Sequence, residues 1–191
     1  ILEYQIDCIL DVGANIGQYR SFLRNEVGYS GLIISFEPDP DNFKSLKKAS
    51  QSDNQWLIQD YALGKENTEL SLNIMKNSLF NSFLDPDNTE TNQFEKQNSI
   101  KATVEVPVKR LDGVFPLLIE NYKFKRAFLK IDTQGFNLDV FEGTFGCIDR
   151  IFGIQSEVSV MQIYKNSPSF GDSLKLFRKM GFGVSAVYAV D

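Results

Sequence analysis

The sequence predicts an α/β fold, an open, mostly parallel, doubly wound sheet with an added antiparallel strand pair. Three observations predict it. Short apolar runs alternate with stretches of helical period along most of the chain, several runs end in an acidic residue beside Gly or Pro, and one central region alternates with period two instead.

Ile6 to Leu10 is an apolar run ending in Asp11-Val12-Gly13, the pattern of a buried parallel strand and a turn. From Asn15 to about Val27, Ile16, Tyr19, Phe22, Leu23 and Val27 fall at helical spacing, with Asn15 as the expected N-cap. Gly31 to Glu37 reads as a second buried strand, stopped by Pro38 and Pro40, and Phe43, Leu46 and Ala49 mark the next helix. Gln55 to Tyr61 is the third strand. No helix follows it: Glu69 to Met75 alternates, as does Thr103 to Lys109, and the two can pair antiparallel. The polar stretch between them, Asn77 to Ile100, is too long for an ordinary connection and is expected to be a lid.

Asp112 to Tyr122 reads as a helix, and Ala127 to Ile131 as a strand ending in Asp132. A helix through Leu138, Phe141 and Phe145, a strand over Ile151 to Val158, a helix through Leu174, Phe177 and Met180, and a strand over Val184 to Val190 complete the alternation. Residues 1–191 are expected to form one domain, cut at both ends. Ligands of such sheets bind at the carboxyl ends of the strands, where Asp11, Glu37, Tyr61, Asp132 and Glu157 fall.

Composition narrows the chemistry. A formal charge of −5 gives no general attraction to polyphosphate, so nucleic acid is disfavoured and a small or neutral substrate expected. No apolar run approaches the roughly 20 residues of a membrane span. With no histidine at all, Ser-His and Cys-His nucleophiles and histidine metal sites are excluded, and proton transfer falls to Asp, Glu, Lys, Tyr or water. Cys8 and Cys147 sit in apolar stretches without ligand spacing, which reads as two buried thiols in a reducing, cytoplasmic setting.

The segment Asp11-Val12-Gly13-Ala14-Asn15-Ile16-Gly17 is a glycine turn at a helix start, which offers free N–H groups to a ligand. Its Gly-x-x-x-Gly spacing differs from the Gly-x-Gly-x-x-Gly of dinucleotide binders. The acidic strand end would repel a pyrophosphate but suits the ammonium of a methionine moiety, which favours S-adenosylmethionine over NAD. About 20 residues downstream, Glu37 with Pro38 stands where α/β nucleotide folds place a carboxylate on the ribose hydroxyls. After the third strand, Asp60-Tyr61-Ala62 is either an adenine contact or a plain turn closed by Gly64.

These residues, together with Phe36-Glu37-Pro38, Ala62-Leu63-Gly64, Val106 to Asp112, Lys130-Ile131-Asp132-Thr133-Gln134-Gly135 and Gln155-Ser156-Glu157-Val158, resemble the FkbM-type methyltransferases. The resemblance spans nearly the whole chain. It implies a class I, Rossmann-like methyltransferase fold and O-methylation of a small-molecule or sugar hydroxyl from S-adenosylmethionine. Gln134 stands where such relatives usually carry Glu. A binding module without catalysis and an NAD-dependent oxidoreductase are the rival readings.

Strand alternation puts Lys130 and Asp132 on one side. Asp132 can bind the ammonium, orient the acceptor hydroxyl or take its proton, and Glu157 is the other candidate base. Lys130 is either part of this machinery or an ion-pair partner of Asp132 or Glu157. Two carboxylates without a third ligand do not specify a metal site.

Overall fold

The computed structural model describes residues 1–189. In chain order its elements are β1 (Cys8–Val12), α1 (Gln18–Phe22), β2 (Leu32–Phe36), α2 (Pro40–Ala49), β3 (Trp56–Gln59), β4 (Ala62–Leu63), β5 (Thr68–Met75), β6 (Ile100–Lys109), α3 (Leu111–Tyr122), β7 (Ala127–Ile131), α4 (Asn137–Glu142), β8 (Ile151–Ser156) and α5 (Phe170–Lys179). The central sheet has the order β3-β2-β1-β7-β8 with every neighbouring pair parallel. A second sheet of order β4-β6-β5 holds the expected antiparallel pair, β5 with β6.

Alternation along the strands sends side chains to two layers. On one face Ile9 and Ile33 pack with Leu23, Leu46 and Trp56; on the other Leu10, Ile34, Leu129 and Ile131 pack with Phe115, Leu118, Val140 and Phe141. The strands of such a doubly covered sheet are mostly apolar, and all of β1 is buried, Asp11 included. No described helix is long and apolar enough to cross a membrane.

Several boundaries differ from those predicted. The first strand is Cys8–Val12, so Asp11 lies inside it instead of at its end. The helix after the glycine turn begins at Gln18, not at Asn15. Asn15 is left-handed (φ 49°) and Gly17 precedes the helix, also left-handed (φ 93°), so the chain makes one more bend before it can coil. At Gly17 a Cβ would lie 2.7 Å from the Trp56 ring, which is why a bare backbone is needed there. The final turn, Leu23–Val27, is of the wider π type and ends at Gly28 (φ 72°).

The third strand stops at Gln59, leaving Asp60 and Tyr61 beyond it, and Ala62–Leu63 forms the unexpected β4 by pairing in parallel with the end of β6. Val184 to Ala189 is not a strand but an exposed segment, and Val190 lies outside the described residues. An apolar run becomes a strand only where its backbone finds a partner edge, and residues 184–189 pair with no strand among the described residues.

Candidate active site

Three in-register residues lie under the strand ends. Ser35, Asp11 and Lys130 stand side by side on β2, β1 and β7, so their side chains share one face of the sheet. Asp11 is fully buried; Ser35 Oγ donates to its Oδ2 at 3.0 Å, and Lys130 Nζ lies 3.0 Å from its Oδ1. Trp56 Nε1 donates to Ser35 Oγ at 2.9 Å. Lys130 Nζ also donates to the Gly13 carbonyl at 3.0 Å, tying the buried pair to the glycine turn above it. Burial by itself would favour the neutral amine, but Asp11 and Asp132 hold the Lys130 ammonium above its ordinary value.

Above this row the loops after β1 and β7 touch. Gly13 is left-handed (φ 75°), and a Cβ on it would lie 1.9 Å from the Asp132 carbonyl oxygen, so only glycine permits the approach. Beside it Glu37 follows β2, 5% exposed, its Oε2 accepting the Asn15 N–H at 2.7 Å and its Oε1 the Asp39 N–H at 3.0 Å. Two of its lone-pair sites are thus used and others remain for a ligand. Burial pushes the Glu37 carboxyl up to about 7, while the two backbone donors pull it down.

On the other side of β1, Asp132 follows β7 with its side chain 41% exposed, and Lys130 Nζ lies 3.7 Å from its Oδ2. Gln134 Nε2 donates to Asp132 Oδ1 at 3.0 Å and to Glu157 Oε2 at 2.8 Å, joining two carboxyl groups from neighbouring strand ends. Burial and the Asp132 charge raise the Glu157 carboxyl well above the usual range, and Lys130 opposes them. Asn137 braces the arrangement, accepting the Thr133 N–H at 2.8 Å and donating to the Glu157 carbonyl at 2.6 Å.

Between the two sides lies a cavity of about 70 Å³, walled by Val12, Phe36, Leu63, Leu72, Leu79 and Phe83 and edged by Gly13, Asn15, Glu37, Pro38, Asp132 and Gln134. Part of the long polar connection covers it. After a 3₁₀ turn over Ser78–Phe80, the chain is pinned at three points. Asn15 Nδ2 donates to the Ser78 carbonyl at 3.0 Å, Asn81 Nδ2 to Asp39 Oδ2 at 2.8 Å, and Ser82 Oγ to the Gln134 carbonyl at 2.6 Å. Residues 78–83 therefore form a strap tied to all three loops of the site.

The model of the Methyltransferase FkbM domain matches residues 11–184. The chain belongs to the FkbM methyltransferase family. Among solved structures, a methyltransferase FkbM from Methylobacillus flagellatus KT superposes with a TM-score of 0.52 at 14% identity, over 92% of this chain and 36% of that one. At that identity the likeness speaks for the fold, and this FkbM-family chain spans about a third of that protein's length. No curated protein matches the sequence.

Of the residues singled out from the sequence, Gly13, Asn15, Glu37, Pro38, Ala62 and Asp132 line the cavity. Asp11 and Lys130 lie beneath it as a buried pair, and Glu157 reaches it through Gln134. Ala14 is buried behind the turn, Ile16 is 55% exposed, and Gly17 packs on Trp56. Asp60 is exposed and outside the lining; Tyr61 is buried against Phe36, ring centroids 5.7 Å apart, under the Lys109 ammonium. Asn137, Ser78, Asn81 and Ser82 were not singled out. For Ser78, Asn81 and Ser82 the only signal was the density of Asn and Ser in the long connection, which marks turns as readily as a strap; Asn137, at the start of α4, carried none.

Proposed function

We propose that this chain binds S-adenosylmethionine and transfers its methyl group to a hydroxyl of a small molecule or sugar. The observation that carries the reading is the placement of Glu37. It is a buried carboxylate beside the Gly13 turn, across an apolar slot from a second, more exposed carboxylate, Asp132. That arrangement fits the cofactor part by part. The slot walls suit adenine, the free lone pairs of Glu37 suit two ribose hydroxyls, and the negative charge at Asp132 suits a sulfonium and an ammonium.

Bound there, S-adenosylmethionine would supply a methyl group activated on sulfur. The residues of this chain do the rest. Glu37 and the loop N–H groups hold the donor, and the strap over residues 78–83 keeps water out while it is closed. Asp132 orients the acceptor hydroxyl and takes its proton, with Glu157 as the neighbouring acid of the pair. Residues 78–83 cover the cavity and are tied to the loops on both of its sides, so the strap acts as a lid that opens on binding. The negative net charge disfavours a polyanionic acceptor such as nucleic acid.

S-adenosylhomocysteine, at millimolar concentration, is expected to raise the melting temperature, as any ligand selective for the folded state does. Glu37→Ala should weaken its binding by on the order of 1–3 kcal/mol, the cost of hydroxyls left without a charged acceptor. An intact fold with no thermal shift, or an affinity unaffected by Glu37→Ala in calorimetry, contradicts the assignment. A shift with NAD instead would favour the oxidoreductase reading.

A further inference from the structure

Gln134 is held more completely than its place in a half-buried loop requires. Both amide hydrogens are used, one on Asp132 Oδ1 (3.0 Å) and one on Glu157 Oε2 (2.8 Å). Its side-chain oxygen lies 3.2 Å from the hydroxyl of Tyr164, a residue only 1% exposed whose single hydroxyl proton goes either to that oxygen or to the Phe80 carbonyl at 2.9 Å. Its main-chain oxygen accepts from Ser82 Oγ at 2.6 Å. The backbone is left-handed (φ 49°), a conformation that non-glycine residues keep only where the surroundings impose it. The two carboxyl groups also fix which way the amide points, because the reverse orientation would set its oxygen against both of them.

We propose that Gln134 is a positioning residue that clamps Asp132 and Glu157 together as a carboxyl pair, one amide hydrogen on each. This rests on the methyl-transfer reading and deepens it. Two carboxyl groups bridged by one amide nitrogen repel each other when both are charged, and burial adds to that cost at Glu157. An amide supplies two donors without adding charge. A glutamate in its place would have at most one proton to give and would bring a third acid to the cluster. The charged and titratable groups facing the pair are Lys130 beside Asp132, Asp11 behind Lys130, and the Tyr164 hydroxyl. Only Lys130 among them is cationic, so the pair's proton balance depends on the neutral clamp. In the proposed reaction the hydroxyl proton of the acceptor passes to the ionised member of the pair, which becomes neutral and later releases that proton to water.

The test is a titration of side-chain carboxyl groups by ¹³C NMR on the whole chain without cofactor, from about pH 4 to about pH 10. Gln134→Leu removes a donor that favours ionised Glu157, so the Glu157 midpoint should rise by about one unit, the size of one charge-assisted hydrogen bond. Gln134→Glu, nearly the same shape, should add a third coupled titration to the cluster, and it serves where the leucine variant does not fold. A folded Gln134→Leu with an unchanged Glu157 midpoint, or a Gln134→Glu whose new carboxyl titrates alone at an ordinary value, overturns the clamp. Loss of thermal stability with no change in titration does so as well, since it leaves Gln134 a structural role only. Calorimetry of wild type with S-adenosylhomocysteine runs alongside: no binding there refutes the methyl-donor reading, while the titration still decides the clamp.

Discussion

Glu37 and Asp132 stand at strand ends on either side of β1, yet they are held in opposite ways. Glu37 is buried, and the donors that fix it are main-chain N–H groups of Asn15 and Asp39. Asp132 is half exposed, and the groups that fix it are side chains, Gln134 and Lys130. Backbone donors keep their place whatever side chains surround them, so the Glu37 side is rigid. The Asp132 side depends on residues 132, 134, 157 and 164 meeting correctly, and any one of them can retune it. A rigid half suits holding a cofactor that does not vary, and an adjustable half suits an acceptor that does.

The largest effect should fall on the adjustable side. Asp132→Asn is expected to lower turnover about 10²–10⁴-fold while changing S-adenosylhomocysteine affinity much less, as loss of a base does. Glu157→Gln should act on turnover alone. Near-normal rates in both variants, measured with an acceptor that the wild type methylates, would erase the division of labour. A parallel loss of affinity in Asp132→Asn would instead move Asp132 to the cofactor side.

Next comes the contact between the two sides. Gly13→Ala must place a Cβ 1.9 Å from the Asp132 carbonyl and keep φ at 75°, so a loss on the order of 2–5 kcal/mol in urea unfolding is expected from strain and overpacking together. A tolerated alanine would show that the loops can separate without cost.

Titration sharpens the contrast further. Glu37 binds its proton more tightly in the folded chain, at about 7, than at the ordinary value of 4.5. Folding therefore favours the protonated form. The contribution is complete below pH 4.5 and is lost as pH rises through about 7, and Glu37→Gln should flatten that part of the stability profile. Ligand hydroxyls favour the ionised carboxylate, so cofactor affinity should strengthen over the same interval. Melting temperatures of both proteins across this window, with and without S-adenosylhomocysteine, check the two slopes.

The smallest effect is at the strap. Asn81→Asp keeps the acceptor for the Met75 N–H but removes the donor to Asp39, and should cost about 0.5–1.5 kcal/mol, with faster association of S-adenosylhomocysteine in stopped flow. An unchanged association rate would mean that this tie does not limit opening.

The sequence by itself determined what depends on neighbours along the chain. Apolar runs of strand length separated by helical spacing gave the parallel sheet and its two helical layers. The glycines of the first turn and the carboxylate about 20 residues beyond it marked one side of the site. Tertiary structure decided the partners of side chains. Lys130, expected beside Asp132 or Glu157, lies 3.7 Å from Asp132 but nearer still to Asp11, because strand order sets β7 in register with β1. Asn15, read as a helix cap, instead reaches Ser78, 63 residues away, and the role of Gln134 appears only where the loops after β7 and β8 meet the strap. Val184 to Ala189 reads as part of a strand and forms none. Periodicity fixes which face a residue occupies, but a hydrogen bond or an ion pair also needs the identity of the element opposite, and that is set only when distant segments pack.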